Sequence, residues 1–203
     1  MKGIVFTEFL EMVEEKFGIE KVDHIINHSK LPSKGSYTTV GTYDFMEMQQ
    51  LLFHLSILTQ IPINDLIYNY GLYFFKTLTD HHPYIFQHYK SPIDLVESIE
   101  DHIHVQVRKI YPDAELPSFK IIDKSSECLS LLYKSERSMY MFAKALMEKT
   151  FEYYQENVDI NFELLNEKGS EVKFTIISHG GVIEENRNIG ASRTAGKKCP
   201  AKS

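Results

Sequence analysis

The period of the hydrophobic pattern changes at Pro117, and that change constrains the fold more than any other feature of the chain. Before it, apolar residues recur at helical spacing. Residues 3–17 place Val5, Phe6, Phe9, Leu10, Val13 and Phe17 on one stripe, and Gly18 ends the run. A second short helix is predicted over 20–28, then a loop over 29–43, where Pro32, Gly35, Ser36 and Gly41 fall. Asp44 is set to cap a helix over 45–59. Pro62 breaks the chain, and Asn64 is set to cap a helix over 65–80. Pro83 opens a helical piece to about Tyr89. Ser91-Pro92-Ile93-Asp94 then reads as a helix start: an N-cap hydroxyl, a proline where no N–H is needed, and an acid in the first turn. That helix is expected to run to about Ile110 and stop before Pro112.

After Pro117 the segments shorten. Residues 119–122 and 128–133 read as strands, 138–157 as a helix, and 159–166 and 171–178 as two more strands around the hairpin loop Asn166–Ser170. Helices first and strands later give an α+β fold: an N-terminal helical subdomain packed on a four-stranded antiparallel sheet with one inserted helix. The pattern stops at Gly180. Residues 1–180 are read as one domain and 181–203 as a disordered tail.

Charge narrows the function. The net charge is −6, and residues 182–203 hold five basic residues against two acidic ones, so the body is more acidic still. An acidic body lacks the basic footprint that nucleic-acid binding needs. Glu8, Glu11, Glu14 and Glu15 interrupt the first helix too early for a signal peptide, and the uncharged stretch Met48–Asn64 contains Gln, His and Pro. The expectation is a cytoplasmic protein with no membrane segment. Cys128 and Cys199 form neither CxxC nor CxxCH, so a covalently attached haem is not expected.

Two groups of residues carry chemistry. The helix after Ser91 holds His102 and His104. Tyr133, Ser135 and Arg137 stand at i, i+2 and i+4, which on a strand puts two hydroxyls and a guanidinium fork on one face, a grip for carboxylates. An imidazole and a carboxylate grip among apolar segments, with 12 Tyr, 13 Phe and no Trp, suit haem, whose iron takes an axial ligand and whose propionates take polar partners. Periodicity does not choose between the histidines. His104 shares a helix face with Ile93 and Val107, and His102 shares one with Leu95 and Ile99. His81-His82 before Pro83 reads as a surface turn.

Tyr133-x-Ser135-x-Arg137, with His104 and Pro117 thirteen residues apart and Tyr111-Pro112 between them, resembles the H-NOX family, the haem nitric oxide/oxygen binding domains related to the sensor domain of soluble guanylate cyclase. Met1-Lys2-Gly3-Ile4-Val5 also looks like the family's start, and the resemblance covers roughly residues 1–180. It implies non-covalent haem b held between helices and sheet, with His104 as the axial iron ligand and His102 as the fallback. It implies Pro117 against the porphyrin, and Tyr133, Ser135 and Arg137 on the propionates.

The distal wall implied by the resemblance is Val5, Phe9, Phe74, Phe142 and Leu146, all apolar. Members that bind O₂ have a tyrosine five residues after the motif's arginine. Here that residue is Phe142, while Tyr140 lies about 200° away around a helix. Bound O₂ is held by a hydrogen-bond donor, whereas NO binds ferrous haem without one. The implied function is a sensor of NO (and CO) that excludes O₂ and is not an enzyme. Some bacterial members carry a cysteine-rich zinc site near the end of the domain; it has no counterpart here, and no zinc is expected. The length leaves no room for a kinase or cyclase, so the output is expected to pass to a histidine kinase or a cyclic-di-nucleotide enzyme. The rival readings are an O₂ sensor, a haem enzyme such as a peroxidase, and a haem-free domain of this fold that takes an apolar ligand or serves as an interaction module. A peroxidase needs a distal acid–base group that an apolar wall does not supply.

Overall fold

The computed structural model describes residues 1–125 and 128–179. Its first half is helical. Helices α1 (Gly3–Phe17) and α2 (Ile19–His28) join at Gly18, whose φ of 90° suits only glycine. Helix α3 (Phe45–Thr59) starts at Asp44, whose carboxylate accepts from the Met46 N–H at 2.9 Å. Helix α4 (Ile63–His81) follows after a bend of 109°. No single helix among the described residues is long and apolar enough to cross a membrane.

The start of α4 differs from the sequence expectation. Pro62 takes the cap position and Asn64 lies in the first turn. The Asn64 amide donates instead to the Tyr140 hydroxyl at 3.1 Å. A tertiary partner outcompetes the local backbone for this short polar side chain.

Phe6, Phe9, Ile25, Leu51, Leu66 and Tyr70 fill the helical core. Glu47 is buried beside them, 3% exposed, and accepts from the Tyr37 hydroxyl at 3.0 Å and from the Ser33 hydroxyl. It thereby ties the loop before α3 to the core. That loop in turn closes over α1, with the Gly3 N–H donating to the Gly41 carbonyl at 2.8 Å.

The segment expected to be one helix up to Ile110 is three pieces. After the short helix α5 (Pro83–Gln87), α6 (Pro92–Glu97) begins at Ser91, whose hydroxyl accepts from the Asp94 N–H at 3.2 Å. Residues Ile99–Ile103 then form a π turn, in which the Ile103 N–H reaches back to the Ser98 carbonyl and the His104 N–H to Ile99. Helix α7 (His104–Ile110) resumes the α geometry. A π turn takes up more residues than an α turn, so the apolar pattern slips in phase across it.

Strands β1 (Ser118–Lys124), β2 (Cys128–Lys134), β3 (Val158–Leu164) and β4 (Glu171–Ser178) form one antiparallel sheet in the order β1-β2-β4-β3. Helix α8 (Tyr140–Tyr153) is inserted between β2 and β3. It is shorter than its apolar pattern, because Ser138 (φ 51°) and Gln155 (φ 57°) turn the chain at its two ends. Its Ala143, Met147 and Phe151 pack on Leu129, Leu131 and Phe174 of the sheet. Its other side packs on α4, so α8 joins the two halves. The tail beyond Gly180, expected to be disordered, lies outside the described residues.

Candidate functional site

Between the helices and the sheet lies a cavity of about 320 Å³ with apolar walls from α1, α4 to α8, β1 and β2. His104, the first residue of α7, stands on that wall and is 8% exposed. Burial holds its imidazole below the usual histidine range, opposed in part by Glu100, and favours the neutral ring. Its Nδ1 lies 3.3 Å from the Glu100 carboxylate, which can only accept, so Nδ1 carries the proton and Nε2 keeps its lone pair.

His102 is placed elsewhere. It does not line the cavity; its Nδ1 meets the Tyr89 hydroxyl and its ring lies 5.0 Å from His88. The structure thus separates two histidines that the helical period leaves equivalent.

Pro117 lines the cavity just before β1, and Tyr133, Ser135 and Arg137 line it as well. Those three do not share a strand, as their spacing predicts. Strand β2 ends at Lys134, and Ser135 and Arg137 belong to the turn into α8. The Ser135 N–H donates to the Ser170 carbonyl at 2.9 Å, and the Arg137 N–H donates to the Ser135 hydroxyl at 3.2 Å. A turn, not strand alternation, gathers them. Tyr133 is 1% exposed, and burial raises its hydroxyl pKa, so it is a neutral donor. The Arg137 guanidinium forks onto Glu115, with Nη1 donating to the backbone carbonyl at 2.5 Å and Nη2 to the carboxylate. A guanidinium presented this way suits any carboxylate.

The wall around Phe142 is mostly apolar. Val5, Phe74, Phe142 and Leu146 line the cavity, whereas Phe9 does not; it is fully buried in the helical core, 5.3 Å from the Tyr70 ring. Phe142 packs on Tyr70 and Phe74 at ring distances of 5.2 and 5.4 Å. Tyr140 faces a separate hollow beside the β3–β4 hairpin. Three nearby hydroxyls are engaged. Tyr70, buried behind Phe142, donates to the Val5 carbonyl at 2.6 Å. Thr77 donates to the Glu8 carboxylate, and Thr150 to the Leu146 carbonyl at 2.8 Å. His82, expected at a surface turn, lines the wall instead, and burial holds its pKa down, with His81 adding to the shift.

Sequence reasoning missed Tyr70, Glu100 and Gly71. Glu100 was visible as an acid four residues before His104, one helical turn away. At Gly71 an added Cβ would lie 2.7 Å from the Ala145 Cβ, so glycine permits the close approach of α4 to α8; nothing in the local sequence signals that. The donor set fits haem: one neutral imidazole, an apolar slot and a rim of hydroxyls and guanidinium for two carboxylates.

Comparison with known proteins agrees. The family model described as haem-NO-binding, HNOB, matches residues 2–162. The H-NOX protein of K. algicida, solved in the unliganded Fe(II) state, is 49% identical with a TM-score of 0.86, over 94% of this chain and 100% of that one. The H-NOX of Shewanella woodyi, solved with IWP-051 in the Fe(II)CO state, is 34% identical with a TM-score of 0.75, over 94% and 100% of the two chains. An H-NOX protein from S. oneidensis in the Fe(II)NO state shares the fold at 22% identity, with a TM-score of 0.81 over 89% of this chain and 100% of that one. No curated protein matches. The chain belongs to the haem-NO-binding, or H-NOX, family of haem sensor domains.

Proposed function

We propose that this domain holds haem b non-covalently on His104, binds NO and CO at the ferrous iron, excludes O₂, and signals by a conformational change to a partner protein. The observation that carries the choice of NO over O₂ is the state of the donors around the cavity. Val5, Phe74, Phe142 and Leu146 offer none, and Tyr70, Thr77 and Thr150 already donate to protein acceptors. For Tyr70, Thr77 or Thr150 to hold O₂, its present bond would have to break in an apolar environment, where an unpaired partner costs about 1–3 kcal/mol.

Haem, when bound, would supply a ferrous iron able to bind a diatomic gas. The chain does the rest. His104 would hold the iron through its Nε2 lone pair, Pro117 and Phe119 line the cavity beside it, and Tyr133, Ser135 and Arg137 would hold the propionates. His104 begins α7 immediately after the π turn, so a change in its hold is passed directly to that helix. Helix α7 and the π turn then shift against β1, a two-state element of the kind a sensor needs. The solved relatives that carry CO and NO support this ligand class. Resemblance to the family favours a histidine kinase or a cyclic-di-nucleotide enzyme in the cytoplasm as the receiver.

The test is the visible absorption spectrum of the purified ferrous protein, alone, in air and with NO. A Soret band that shifts with NO and not in air is expected. A stable ferrous–O₂ spectrum would overturn the selectivity, and no Soret band after haem reconstitution would overturn the cofactor.

A further inference from the structure

The proximal side contains one carboxylate that the family signature does not include. Glu100 sits in the π turn, one turn before His104. Its Oε2 accepts from His104 Nδ1 at 3.3 Å and from the Phe119 N–H of β1 at 3.1 Å, and its Oε1 lies 3.8 Å from the Arg108 guanidinium. We infer that Glu100 is a positioning residue: it fixes the His104 tautomer and ring direction, strengthens the imidazole as an axial donor, and ties that imidazole to strand β1.

Three observations carry this. A carboxylate on the second ring nitrogen of a metal-bound imidazole raises the donor strength of the first, and such partners orient the ring. The Phe119 bond holds the carboxylate against the sheet, so Glu100 cannot swing away without also releasing a strand N–H. Phe119 in turn lies 5.9 Å from the His104 ring and 5.4 Å from Tyr133, so the contact runs from the imidazole through β1 to the first residue of the propionate grip. Glu100 then sets how readily His104 is given up when a gas binds opposite it, and it is the first group outside the imidazole to feel that change.

The inference rests on haem ligation by His104, and the experiment separates the two. The haem-loaded ferrous forms of the wild type, E100Q, E100A and H104G are compared by resonance Raman and by stopped-flow mixing with NO. In E100A the iron–histidine stretching band is expected to fall in frequency, with E100Q in between because it keeps a neutral acceptor. Loss of the histidine bond after NO is expected to quicken on the order of 10-fold in E100A. H104G is expected to lose the band and regain it with added imidazole. An unchanged band and unchanged NO kinetics in both Glu100 variants, even with a lowered thermal midpoint, would reduce Glu100 to a structural role and overturn the inference. A band that persists in H104G would overturn the ligand assignment and the inference with it.

Discussion

Gly71 permits a close approach of α4 to α8, and Gly71→Ala measures how firmly the two helices are seated. The new Cβ would lie 2.7 Å from the Ala145 Cβ, 2.8 Å from the Phe142 carbonyl oxygen and 3.2 Å from the Phe142 Cα. Carbon atoms prefer about 3.5–4.0 Å, so α4 and α8 must part by roughly 1 Å. Two of the three obstructing atoms are α8 backbone, and no rotamer change relieves them. Overpacking of this kind costs about 1–3 kcal/mol. Alanine returns roughly 0.8–1 kcal/mol, because residue 71 lies in a helix interior, where glycine is the poorer choice. The net expectation is a loss of about 1 kcal/mol, or ~2–4 °C in Tm for a domain of this size. Because Phe142 is the residue displaced, the cavity wall moves too, and the spectrum of the CO complex is expected to change with the stability. Urea unfolding and thermal melts of the haem-free and CO-bound forms check both. A G71A protein more stable than wild type by about 1 kcal/mol, with an unchanged CO spectrum, would refute the reasoning, since it would show that α8 yields freely and helix propensity alone decides.

Phe142→Tyr adds a donor beside Val5, Phe74 and Leu146, which offer none. The ferrous protein is then expected to hold O₂ in air, and an absorption spectrum identical to wild type would mean that the side chain at 142 does not face the gas. Glu47→Ala removes the acceptor of Ser33 and Tyr37 and leaves their donors over a buried gap. A loss of about 2–4 kcal/mol in urea unfolding is expected, and a loss under 1 kcal/mol would mean that the loop before α3 is held by other contacts. The His54 pKa is lowered from 6.5, first by burial and then by His28 and His24. Its stabilising effect is complete above the unfolded value and declines as pH falls through the folded one. Acidification from about pH 7 to 5 should therefore destabilise the wild type more than H54N, as followed by urea midpoints; equal slopes would remove His54 as a source.

Most of the fold could be read from spacing. The apolar stripes of α1, α3 and α4 and the short runs of the strands appear where their periods place them, because each packs one face on a core. What escaped was of two kinds. The π turn is invisible to a 100° step, so the single helix expected through Ile110 was drawn straight through it, and His102 and His104 looked alike. Tertiary choices were equally hidden. Asn64 turned to Tyr140 instead of capping α4, and Ser135 and Arg137 reached the cavity through a turn. Phe9 shares its helix face with Val5, yet α1 leaves the cavity edge within that turn, so the two side chains end in different surroundings. The residues that the family resemblance implies for the site line the cavity, Phe9 excepted. Those carried by packing alone, Tyr70 and Gly71, had no local signal to give.

The π turn opposes helical regularity to the placement of His104 on the cavity wall. Deleting one residue between Ser98 and Ile103 would leave a more ideal α-helix with better hydrogen bonds. Every residue downstream would then be rotated by about 100° relative to α6, and His104 would leave the cavity wall. Substitutions that only tune the turn keep the imidazole in place, whereas single-residue gains or losses there cannot. The helix carries its imidazole to the cavity wall because it is one residue out of step.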